Sequence, residues 1–110
     1  TLGKRNMSKC LDVCLNLILP NVLKDQVLDQ LLRHPEWVGP FTAHRAEGHG
    51  DPDSIASPAE QVRGRAERVR IEILMEARHV EALLGQLRSE LESHESLWWL
   101  TPVSASGRFA

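Results

Sequence analysis

Apolar residues in the second half of the chain recur every three or four positions: Val62, Ala66, Val69, Ile73, Ala77, Val80, Leu84, Leu87 and Leu91. The spacing averages about 3.6 residues, the period of an amphipathic helix, and predicts one long helix over 57–100. Ser57-Pro58-Ala59-Glu60 carries its start signal: a capping serine, a proline suited to the first helical position, and a glutamate that closes a capping box. Pro102 carries the stop. Uninterrupted, such a helix spans roughly 60 Å at about 1.5 Å per residue.

The first half predicts two shorter helices. Met7, Cys10, Leu11, Val13, Cys14, Leu15, Leu17, Ile18 and Leu19 are apolar on nearly every side, with Asp12 and Asn16 interrupting, the pattern of a buried helix over 6–19. Pro20 breaks it. Asn21 can cap a restart, and Val22, Leu23, Val27, Leu28, Leu31 and Leu32 form a one-sided stripe that ends before His34-Pro35. Residues 35–56, punctuated by Pro35, Gly39, Pro40, Gly48, Gly50 and Pro52, read as a connector loop. Residues 1–5 read as a polar lead-in and 101–110 as a flexible tail, which leaves one domain over 6–100.

The expected fold is therefore all-α: two short helices packed antiparallel on one long C-terminal helix. Ile71, Leu74, Met75 and Ala82 place apolar surface outside the main stripe of that helix, and an uncovered apolar face marks an interface. Assembly into a helical bundle, a coiled-coil-like dimer, follows. Trp98 continues the stripe from Leu91, while Trp99 points elsewhere. Ile71, Met75 and Trp99 are the candidate anchors of the interaction surface, and Trp37 is the candidate cover for Trp99.

Composition narrows the chemistry. The 110 residues carry a formal net charge of −2, so no global field draws nucleic acid or an anionic membrane. No apolar run approaches the roughly 20 residues that cross a bilayer. The start has neither an initiator Met nor a signal-peptide block, which reads as a fragment of a larger protein. Cys10 and Cys14, four apart on a helix, would have Cβ atoms too distant for a disulfide, and suit a reducing intracellular compartment, cytoplasmic or nuclear.

Cys10, Cys14, His44 and His49 superficially resemble a zinc ligand set, yet the cysteines fall in the apolar segment. Glu76 and His79 have the Glu-x-x-His spacing of di-iron bundles, but the first two helices offer no glutamate to complete such a site. No nucleophile–base pair, phosphate-binding loop or dinucleotide fingerprint occurs. Neither catalysis, cofactor nor metal is expected, and no small-molecule substrate. The function that follows is a non-enzymatic helical interaction module, a scaffold or adaptor that forms a homodimer or pairs with a helical partner in a larger complex. The alternative is nucleic-acid binding through the cluster Arg63, Arg65, Arg68 and Arg70, with Glu60, Glu67 and Glu72 interleaved against it.

Overall fold

A computed structural model describes residues 10–48, 66–91 and 95–110. It overturns the all-α expectation and with it the helical bundle and the coiled coil. The elements are β1 (Val13–Pro20), α1 (Lys24–Arg33), β2 (Val38–Gly48), β3 (Ala66–Met75), α2 (Val80–Glu90) and β4 (Leu97–Pro102). Short 3-10 turns, Asn21–Leu23 and Ala77–His79, lead into the two helices. The strands form one sheet in the order β2-β3-β1-β4, every pair antiparallel.

The reason lies in residues that alternate. In β1, Leu15, Leu17 and Leu19 are buried core residues, while Cys14, Asn16 and Ile18 point to the other face. In β3, Val69, Ile71, Ile73 and Met75 are buried against the helices, while Arg70, Glu72 and Leu74 face away. This period of two identifies half-buried strands. The segment expected as helix 6–19 is thus β1 over its second half. The segment expected as helix 57–100 is β3, α2 and β4 in turn, and its capping box at Ser57–Glu60 lies outside the described residues. The connector expected over 35–56 contains β2. Thr101 and Pro102, expected in the tail, end β4.

Both helices lie on the same side of the sheet. Val27 and Leu31 of α1 and Val80, Leu83, Leu84 and Leu87 of α2 close the core against Leu15, Val69, Ile71 and Ile73. The stripe foreseen over 21–34 is only partly used, since Val22 and Leu32 are exposed. Each half of the chain repeats one path: strand, 3-10 turn, helix, strand. The halves interlock, because β3 lies between β1 and β2, and β1 lies between β3 and β4. This is the split β-α-β pattern of the ferredoxin-like arrangement.

Two glycines have opposite roles. The β2–β3 register shifts between Val38 and Phe41, where Gly39-Pro40 forms an irregularity. A side chain at Gly39 would run into the Leu74 carbonyl oxygen and touch Leu11. Gly39→Ala should therefore destabilise the fold by about 1–3 kcal/mol, the usual cost of overpacking. Gly85, on α2, has open space around the same position. Gly85→Ala should raise stability by about 0.5–1 kcal/mol through helix propensity and unfolded-state entropy. Denaturant melts of both variants check the pair; a stabilised Gly39→Ala would contradict the close approach.

Candidate functional site

No helix among the described residues covers the second face of the sheet. A sheet with one naked face normally shows polar residues there, and this one does, but they are not simply solvated. Asn16, in the central strand β1, is only 3% exposed. Its Nδ2 donates to the carbonyls of Cys14 (3.1 Å) and Trp99 (3.4 Å) and lies 3.4 Å from Thr101 Oγ1. Its Oδ1 accepts from Arg70 Nη2 at 3.5 Å. Arg70 also pairs with Glu72 at 3.3 Å, and its guanidinium lies 5.4 Å from the centre of the Trp99 ring. Its Nε is buried with no hydrogen-bond partner among the described residues. The register explains the cluster: Asn16 is paired with Glu72 on one side and Trp99 on the other.

Beside the cluster runs an apolar edge. Leu97, Trp98 and Leu100 of β4 are 57%, 44% and 40% exposed. On the helix side of that edge a cavity of about 230 Å³ opens among Leu17, Leu19, Val27, Leu87, Leu91 and Trp98, with exposed Arg88 also in its wall.

At the opposite end of β1 a polar junction ties three segments together. Glu76, after β3, accepts from the Cys10 backbone N–H at 3.1 Å and pairs with Arg78 and His79, each at 3.1 Å. Asp12 accepts the Ala77 N–H on its carboxylate (2.8 Å) and the Val103 N–H on its carbonyl (3.0 Å). The bond from Cys10 N–H, helped by Arg78, holds the Glu76 carboxyl below its ordinary pKa.

The residues singled out in the sequence fall in different places. Ile71 and Met75 are fully buried in the core, facing the helices, and offer no surface. Trp37 stacks on His34 with ring centroids 4.5 Å apart and packs against the core. Trp99 lies on the naked face beneath Arg70, on a different strand and away from Ile71's side of the sheet. Cys10 and Cys14 belong to β1 and its approach, whereas His44 is exposed on β2, with β3 between them; His49 lies outside the described residues. Glu76 and His79 do meet, His79 Nε2 lying 3.1 Å from the Glu76 carboxylate within the polar junction. Of the arginine cluster, Arg68 is 3% exposed and Arg70 is engaged as above, while Arg63 and Arg65 lie outside the described residues. Sequence reasoning missed Asn16. Its signal was a lone amide alternating with leucines in Val-Cys-Leu-Asn-Leu-Ile-Leu.

A family model described as "Protein of unknown function (DUF3240)" matches residues 9–110. The chain belongs to the DUF3240 family. A solved DUF3240 protein from Shewanella baltica OS155 has 23% identity and a TM-score of 0.73, covering 91% of this chain and 98% of that one. Two PII-like structures share the DUF3240 chain's fold. One is CPII, a nitrogen regulatory PII-like protein from Thiomonas intermedia K12 bound to ADP, AMP and bicarbonate, with 18% identity, TM-score 0.66 and coverage of 89% and 96%. The other, described as a putative PII-like signaling protein, comes from Thermus thermophilus, with 15% identity, TM-score 0.59 and coverage of 84% and 86%. No curated protein matches. At these identities the likeness fixes the fold: PII-like, mixed α/β, with a four-stranded antiparallel sheet. No helix among the described residues is long and apolar enough to cross a membrane.

The lowered Glu76 pKa has a sign. A carboxyl that is more acidic folded than unfolded adds stability above its unfolded pKa, and that stability is lost as pH falls through the folded value. Glu76→Gln should therefore lower stability at neutral pH and flatten its decline below the ordinary carboxylate range. Denaturant melts from neutral to acid pH check this; parallel curves for variant and wild type would show that Glu76 is not the linked group.

Proposed function

We propose that this DUF3240 chain is a non-enzymatic regulatory module that assembles with copies of itself and reports a bound small molecule to a protein partner. The observation that carries the reading is the helix-free sheet face, where partly exposed Arg70 and Trp99, anchored on buried Asn16, form a polar and aromatic surface bordered by exposed Leu97. Partly exposed tryptophan and arginine beside apolar area are the composition of an interface hot spot. Apolar stripes remain the means of association, as the sequence suggested, but they belong to a sheet and its edge strand rather than to helices.

The ligand class comes from the fold. The Thiomonas protein was solved with ADP, AMP and bicarbonate, so an adenine nucleotide or a small oxyanion is the first class to try. The expectation of a chain without small-molecule ligands has no support. Nucleic-acid binding through the arginine segment gains none either, because buried Arg68 and paired Arg70 are poorly placed to meet phosphates.

Light scattering on the intact chain should give a multiple of 12.4 kDa at micromolar concentration. Trp99→Ala should shift the mass towards the monomer while the melting temperature changes little. Titration calorimetry with ADP and with AMP should show saturable binding to the wild-type chain. A monomer at every concentration would overturn assembly, and absent heat with no thermal protection by either nucleotide would overturn the ligand.

A further inference from the structure

The last eight residues leave the sheet without being covered by it. Val103 still donates its N–H to Asp12, continuing the line of β4, but residues 104–110 are exposed and carry no helix or strand. Phe109 within this arm is fully exposed. A phenyl ring held in water is the kind of group that an interface buries. Ser104, Ala105, Ser106 and Gly107, which precede it with Arg108, are small and suit a thin extended arm.

The same chain offers a hole of matching chemistry. The cavity between β1, β4 and the two helices has about 230 Å³ and a wall dominated by Leu17, Leu19, Leu87, Leu91 and Trp98. An apolar cavity of about 150 Å³ is enough to take up benzene. A phenylalanine ring fits.

The strand carries it away from the cavity of its own chain. Trp98, at the cavity, pairs with Leu17, whereas Pro102 pairs with Val13 at the far end of β1. Four residues of strand carry the chain roughly 14 Å away from the cavity before the arm begins. From Val103 to Phe109 the arm reaches about 20 Å when extended, pointed onward by the bond to Asp12. The onward direction and the exposure of Phe109 make a second copy of the chain the occupant.

We propose that Phe109 of one copy inserts into the Leu17–Leu87–Trp98 cavity of the next, as a head-to-tail clasp. The proposal rests on the reading that copies assemble, and adds a contact separate from the naked sheet face. Such a contact is heterologous, so it closes a ring when the rotation between copies permits. The arm tightens an assembly without using the sheet face.

Light scattering over a dilution series tests it on the full chain. Phe109→Ala should weaken assembly at least tenfold with an unchanged melting temperature, and Phe109→Leu should restore part of it. Oxidative cross-linking in mixtures supplies a readout independent of affinity. One chain carries Phe109→Cys and the other Arg88→Cys, with Cys10 and Cys14 replaced by serine in both. A mixed disulfide between the chains is expected, well above the yield with Thr42→Cys on β2 in place of Arg88→Cys. If the wild-type chain assembles but Phe109→Ala dissociates no more readily and the mixed disulfide stays at the control level, the clasp is wrong and the assembly reading stands. If the wild-type chain is a monomer throughout, both fall.

Discussion

With both described helices on one side of a four-stranded sheet, alternate residues of the same strand meet two different surroundings. Everything else in this molecule depends on that constraint. Leu15, Leu17 and Leu19 close the core while Cys14, Asn16 and Ile18, interleaved with them, make the opposite surface. A slip of one residue in β1 would exchange the two sets, placing Asn16 among leucines and leucines in water. The hydrogen bonds of Asn16 to β4 and β3 also reward the correct register from the naked side. Core and surface thus specify the same pairing, the consistency that a single folded state requires.

That constraint also shows why the fold was only partly legible. The segment over 21–34 forms helix as its stripe suggested, starting with a 3-10 turn and continuing as Lys24–Arg33. So does 80–90, inside the long helix expected over 57–100. The strands were misread because four is both a helical step and an even number. Val69 and Ile73 satisfy an i, i+4 stripe and also lie on one face of β3. The deciding residues were the neighbours: Arg70 and Glu72 alternate with Val69, Ile71 and Ile73, and β-branched residues favour the pleat. The breaks at Glu76 and beyond Leu91 contain neither glycine nor proline, so the periodic stripe ran through them unmarked. The break after β3 is made instead by long-range contacts, Glu76 to Cys10 and Ala77 to Asp12, which no local pattern announces.

The surroundings of the candidate anchor residues were not legible. Trp99 is a partly exposed aromatic near the end of the chain, as its offset from the stripe implied, but its neighbours are Arg70 and Asn16 rather than Trp37. Ile71 and Met75 were read as a second apolar face of a helix, and a strand turns them into core. Asn16 looked like an interruption of an apolar run; on a strand, its position between leucines makes it the centre of the polar cluster. Function is less legible still, because an exposed surface is defined by what the fold leaves uncovered.

The interlocking of the two halves has a consequence for how the protein is made. Of the described strands β1 leaves the ribosome first, yet both of its neighbours come late. Asn16 waits for Arg70, 54 residues on, and for Trp99, 83 residues on. Until β3 is synthesised, β1 and α1 have no sheet to join, since β2 pairs with β3 and not with β1. Both edges of a leucine-rich strand therefore stay unpaired through most of translation, and the non-local contacts that finally satisfy them form slowly. Asn16, the lone amide in this run, is the one polar break in the nascent strand, and the same side chain later ties the strand to both of its neighbours.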